Sequence, residues 1–567
     1  MDPVTHHEAG ARTPTPLDAI AEDYLLRYAA LDPVAATVMG LAEHADALTD
    51  YSPDGAAARA DLHRDTLAKV MATPPRDEVD RVTAEALIDQ LQTASTRSDA
   101  GEDLRDINVA ASPVQSLRDV FDVTPSQTTA DLESLAARLH ALPTAVQGYL
   151  ASLRAGIAAG LPPARRQVEA CAVQCDDNVG PDGFFHTFVA RLAGRDGVPP
   201  ALAQALTSGG AAASQAFATL AGALRADIAG GATDADAFGR ERYALASRAY
   251  LGLDIDPEET YAWGIEELRH WRAEGDRVAE QLGVTDLAAA VDLLDTDPAR
   301  RIQGAAAFRD WMQQVSDEAV TALAGTHFDI PPQARRLDCK IAPSSTGIIY
   351  YSGPSEDFSR PGTMWWSVPK GTTEFATWQQ RTIVYHEGVP GHHLQVCSAV
   401  LRSADLNRYR RLMCWVPGHG EGWALYAERL MAELGFLEEP GDRLGLVASQ
   451  LLRSVRVVID IGVHCGLPAP AEAGGGQWTY DKAWRYFTDM VPEPEATLRF
   501  ELDRYLGWAG QAPSYKIGER IWLELREEAR QRGGFDPVTW HREALDIGSV
   551  GLGTLRSALR PRPPAAT

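Results

Sequence analysis

A chain of 567 residues, 45% of them hydrophobic, is long enough to bury a large core. Its formal net charge of −25 argues against nucleic-acid or anionic-membrane partners, which reward clustered positive charge. No stretch reaches the roughly 18 apolar residues of a membrane span, and residues 1–8 are polar, without the pattern of a secretory signal. Six scattered cysteines make no disulfide framework. Cys171 and Cys175, one helical turn apart, read as core thiols, since no second pair stands at metal spacing. The expectation is a soluble, reduced, cytoplasmic protein of mainly α fold.

Residues 1–15 read as disordered. From Leu17 the apolar spacing is helical, with segments over 17–28, 53–72, 78–97, 128–141, 144–160 and 164–179, punctuated by turns at 161–163 and 180–183. Longer helical patterns follow at 199–228, 234–250, 257–282 and 298–325, with a soft boundary between 230 and 250 and no fixed-period repeat. The β signals are at 336–341, 347–351 and 363–368, where alternating, β-branched and aromatic residues predict three short strands. They form either a small sheet whose edge pairs with an extended peptide, or a structural hairpin. Helices are expected again over 373–400, 420–434, 440–465, 479–489, 493–508, 513–531 and 537–547.

The densest chemistry lies in His386-Glu-Gly-Val-Pro-Gly-His-His-Leu-Gln395. A His-Glu pair on a helix normally meets a second His one turn later, so that two imidazoles bind one Zn²⁺ while the Glu polarises water. Here Pro390 occupies that position. In a regular helix His392 would lie about 120° around from His386 and about 9 Å along the axis, and His393 about 10.5 Å away. No undistorted helix therefore makes the site. Pro390 breaks helical geometry and Gly391 tolerates the backbone required. Looping out two residues restores the pair His386 and His392; His393 needs three and is the less favoured ligand.

A catalytic zinc takes three protein ligands and keeps one position open. Glu421, 29 positions after His392 on the next helix, is expected as the third, the other reading being a helix-start charge. Glu387 is expected as the general base. Glu428, seven residues after Glu421, either orients a ligating His or is a surface carboxylate.

The apolar helix 451–464 carries a charged stripe: Arg453, Asp460 and His464 fall within about 40° in helical phase and Arg456 about 60° from Arg453. It is either an ion network or a site in which Arg453 and Arg456 bind a substrate carboxylate. Five of the 14 histidines lie within 386–464, which adds His464 to the catalytic candidates and draws attention to His419. The break at Gly510 and Pro513 places Tyr505 and Tyr515 as donors to a reaction oxyanion, and Gln511 and Lys516 as substrate holders, against packing or capping for each.

On four ordered motifs the chain is identified as a member of the bacterial domain of unknown function 885 family, which resembles gluzincin-type helical zinc peptidases. The motifs are His386 to Gln395, Glu421-Gly-Trp-Ala-Leu-Tyr-Ala-Glu428, Arg456 to His464 and Gly510 to Gly518. The resemblance covers about 20–550. It implies a two-lobed helical fold around a deep channel, with residues 16–245 forming part of its wall. Residues 246–567 would be the catalytic region, with its small sheet at 335–368 and zinc motif at 385–428. It also implies one Zn²⁺ held by His386, His392 and Glu421, with Glu387 as base and Tyr515 or Tyr505 at the oxyanion. The leading expectation is hydrolysis of short peptides. Hydrolysis of a non-peptide amide in small-molecule metabolism and a non-catalytic binding role are the alternatives.

Overall fold

A computed structural model describes residues 12–342, 349–369 and 371–560. The chain is mainly helical, and its starts are chemically marked. Thr15 accepts from the Asp18 amide and Thr128 from that of Asp131, each with an aspartate reaching back in a capping box. Residues 1–11 lie outside the described part, but 12–15 are not the disordered stretch expected. Arg12 pairs with Asp18, Asp77 and Asp80, so acidic residues on two helices fix it.

Thr129–Ala158 is one helix running through Pro143, where the sequence reads as two. The expected helix 298–325 begins only at Ala305, because Arg301–Gln303 forms a strand antiparallel to Glu374–Ala376. The same strand delays the metal-motif helix from 373 to Gln380. The three expected strands form one sheet, with Gly362–Trp366 central, parallel to Leu337–Ile341 and antiparallel to Ile349–Ser352. Of the expected strand 347–351, Gly347 and Ile348 lie outside the described residues.

Apolar side chains gather in two main cores. One is built from Val34 and from residues between Ile107 and Ala229. The other joins Leu17–Leu91 to residues from Tyr243 to Leu555, so the first helices pack on the half of the chain that carries the motif. The helix Pro440–His464 runs through this second core, buried on nearly every side. The helices Pro417–Glu433 and Ser514–Gln531 touch backbone to backbone: a Cβ on Gly518 would lie 1.9 Å from the Gly418 carbonyl oxygen and 2.7 Å from Gly422 Cα. Only glycine permits that approach.

Candidate metal centre

The motif is two helices rather than one bulged helix. Gln380–Glu387 ends directly after His386, and His392–Leu401 begins at His392. Between them Gly388 and Gly391 take non-helical ψ values of −131° and −133°. The chain re-enters with the Gly391 amide donating to the Tyr385 carbonyl at 3.1 Å. A Cβ at Gly391 would stand 1.9 Å from the His386 carbonyl oxygen, so glycine is required at that crossing. The Val389–Pro390 peptide is cis, and Trp423 Nε1 donates to the Pro390 carbonyl at 2.8 Å, pinning the turn to the Glu421 helix.

This break turns the two imidazoles onto each other. The His386 and His392 rings lie 4.9 Å apart at 90°. Glu421 Oε2 is 3.4 Å from His386 Nε2 and 3.6 Å from His392 Nε2. Ligating atoms of all three lie within 4.8 Å of one another. Ligands about 2.1 Å from a tetrahedral zinc are separated by about 3.4 Å, so these residues fit the ion. Glu421 supplies charge: burial opposes its ionisation, but hydrogen bonds and charge from His386 and His392 hold it well below the ordinary carboxylate range.

Glu428 stands behind His386 and is fully buried. It accepts from His386 Nδ1, Thr382 Oγ1 and Ser449 Oγ, each at 2.7 Å. With the ring proton on Nδ1, the Nε2 lone pair faces Glu421. Burial lowers the His386 pKa and Glu421, Glu428 and Glu387 together outweigh it, to about 10, an environment that favours a cation. Glu387 is buried beside the pair. Burial raises its carboxyl above the ordinary value against the pull of His392 and His386, as suits a group that accepts and returns a proton.

His393 is turned away. Its Nε2 bonds the Ala334 carbonyl at 3.0 Å and its Nδ1 the Tyr351 hydroxyl at 2.9 Å. Burial pushes its pKa down to about 4. It ties the motif to the small sheet.

The other site candidates divide. Tyr515 is half-buried, with the Arg456 guanidinium 4.6 Å from its ring centroid. Burial and then the Glu421 charge raise its pKa, keeping the phenol a donor. Arg453 is half-buried and within electrostatic range of Glu387 and Glu428. Tyr505 does not fit the oxyanion role: it is fully buried, donating to Glu501 Oε2 at 2.6 Å and accepting from Arg456 Nε at 3.1 Å. Arg456 also donates to Glu501, and Arg504 joins Glu501 Oε1 to Gln511 Oε1, both at 2.5 Å. The Gln511 carbonyl oxygen is thus already used within the network.

His464 is structural. The Phe238 amide donates to its Nδ1 at 3.2 Å and its Nε2 bonds the Tyr505 carbonyl at 2.9 Å. Burial lowers its pKa to about 4. Asp460 accepts from the Gly510 amide at 3.0 Å and so holds the helix break. Lys516 is not a substrate holder, because its ammonium is fully buried against Gln450, Glu519 and Glu267. His419 accepts from Gln395 Nε2 at 3.1 Å and packs on Trp522. Sequence reasoning missed Thr382, Ser449 and Tyr351, which hold Glu428 and His393. Ser449 stands four residues before Arg453, and that helical phase is the signal that would have found it.

No curated protein matches the sequence. The solved structures that share the fold include the two that follow. A candidate lipoprotein of Colwellia psychrerythraea aligns with a TM-score of 0.81 at 20% identity, over 96% of this chain and 98% of that one. A candidate lipoprotein of unknown function from Shewanella oneidensis aligns at 0.72 and 17% identity, over 96% and 99%. The family model described as bacterial protein of unknown function (DUF885) matches residues 33–559, and the chain therefore belongs to the DUF885 family.

Proposed function

We propose that the protein is a zinc-dependent metallopeptidase that hydrolyses short peptides. The observation that carries this is the convergence of ligating atoms of His386, His392 and Glu421 within 4.8 Å of one another, with Glu421 Oε2 3.4 Å and 3.6 Å from the two Nε2 atoms, and a buried carboxylate, Glu387, next in sequence to His386. His386, His392 and Glu421 would hold the zinc, which would supply a Lewis acid that lowers the pKa of water so that its nucleophilic form is available near neutral pH. Glu387 would hold the proton of the attacking water and return it to the leaving amine. Tyr515 donates a hydrogen bond to the oxygen on which charge develops. Glu428 fixes the His386 tautomer throughout.

The reading includes a helical two-lobed, gluzincin-like architecture whose channel admits extended peptides and excludes folded ones. Trp415, 44% exposed and 6.0 Å from the His392 ring, suits its wall. The six cysteines are free and buried, which suits a reducing, cytoplasmic setting. Among the described residues no helix is long and apolar enough to cross a membrane.

The test is metal analysis of the purified protein with digestion of a short-peptide library. The expected result is one zinc per chain and cleavage that a chelator abolishes and zinc restores. Absence of zinc affinity would overturn the reading. Zinc with cleavage of non-peptide amides alone would move the protein to a different class of hydrolase.

A further inference from the structure

The helix Pro440–His464 presents an ordered stripe to the metal centre. Ser449 bonds Glu428 beneath His386. Arg453 follows one turn later and Arg456 three residues beyond, on the same side. By helical rise they stand about 6 Å and about 10.5 Å past Ser449 along the axis. The stripe leads from the back of a metal ligand along the edge of the site.

The arginines on it are short of anions. Arg453 has no hydrogen bond or ion pair among the described residues, and its Nε is buried. The carboxylates in electrostatic range are Glu387, Glu428 and Glu493. Glu428 is already engaged by three donors, and neither Glu387 nor Glu493 forms an ion pair with Arg453. Arg456, whose side chain is only 6% exposed, spends Nη2 and Nε on Glu501 and Tyr505 and leaves Nη1 buried without a partner. Glu501 is shared with Arg504. Buried N–H groups are ordinarily hydrogen-bonded, and Arg453 Nε and Arg456 Nη1 are two that are not. A planar fork of N–H groups matches a carboxylate, and every unmodified peptide carries one at its end.

We infer that Arg453, backed by Arg456 and Tyr515, receives the C-terminal carboxylate of the substrate, so that the enzyme trims peptides from the carboxyl end instead of cutting them internally. The inference rests on the metallopeptidase reading and adds direction to it. An aspartate or glutamate side chain offers the same chemistry from a second source, which the test separates.

The zinc-loaded full chain is assayed on three pools of tri- to pentapeptides: free acids, the same sequences as C-terminal amides, and amides containing glutamate. Free acids are expected to be cleaved near their ends, and the plain amides about 30-fold or more slowly in kcat/KM. Arg453→Gln is expected to raise KM for the acids by a similar factor and so to collapse the acid-to-amide ratio towards one, with partial recovery of the ratio in Arg453→Lys. Equal zinc-dependent cleavage of acids and amides overturns the inference and leaves the metallopeptidase reading standing. Selective cleavage of the glutamate-containing amides overturns it in favour of a side-chain carboxylate. No zinc-dependent cleavage of any pool overturns both. If Arg453→Gln does not fold, the acid-to-amide comparison on the unaltered protein decides.

Discussion

Glu428 Oε1 lies 2.7 Å from His386 Nδ1, and this contact decides which ring nitrogen faces Glu421. Replacing Glu428 with Gln keeps the volume and removes the charge that orients and enriches the imidazole. Zinc affinity in Glu428→Gln should fall about 10-fold or more, read by competition with a chromophoric chelator. Unchanged affinity would show that His386 needs no carboxylate behind it.

His392 and His393 are neighbours in sequence with opposite employment. His392→Ala should abolish stoichiometric zinc binding. His393→Ala should keep the metal and lose stability, by about 1–3 kcal/mol, because the Tyr351 hydroxyl and the Ala334 carbonyl lose their partner. Metal content alongside urea unfolding separates the two, and loss of zinc in His393→Ala would contradict the ligand assignment.

Glu387 is buried next to the three converging groups and is not one of them. Glu387→Gln should therefore bind zinc normally while kcat drops by about 10²–10⁴. A variant that loses metal and activity together would make Glu387 a ligand.

The two tyrosines at the helix break should respond differently. Tyr515→Phe removes a donor beside Glu421 and should lower kcat about 10²–10³-fold with little change in stability. Tyr505→Phe breaks the buried contacts to Glu501 and Arg456. It should cost about 1–3 kcal/mol of stability with kcat nearly unchanged. The reverse pattern in paired kinetics and thermal melts would exchange their roles.

Asp460 gives a pH dependence of known sign. Burial pushes its carboxyl up to about 8, whereas in the unfolded chain it titrates at about 3.9. Between those values the folded state binds the extra proton. The Asp460 contribution is thus complete below about pH 4 and is lost as the pH rises towards 8. Asp460→Asn should become progressively more stable relative to the native sequence across that range, by at most about 1.4 kcal/mol per pH unit. Chemical denaturation at pH 5, 6.5 and 8 checks it; a constant difference would place the carboxylate in its charged form throughout.

The zinc-ligand candidates were legible because ligand chemistry restricts residue type, and Pro390 with Gly391 marks where a helix must break. The form of the break was not legible. A bulge restores the same phase between His386 and His392 on paper, but Gly388 and Gly391 allow the chain to leave the helix and start another. Lys516, Gln511, Tyr505 and His464 looked like cleft residues because helical phase reports a side chain's direction and not what stands opposite. The partners that stand opposite them, Gln450 and Glu267, Arg504, Arg456 and the Phe238 amide, are set by packing between segments distant in the chain or across the turn. The strands at 301–303 and 374–376 are three residues each, too short to show a period.

The bare contact of Gly518 with Gly418 and Gly422 has a mechanical consequence. Glu421 rides on one of these helices and Tyr515 on the other, and no side chain lies between the backbones at the crossing to act as a spring. Carboxylate and phenol thus share one stiff frame, so any opening around them must occur where other segments meet this frame. A side chain larger than hydrogen at position 518 would act as a wedge, moving Tyr515 away from Glu421 without touching either.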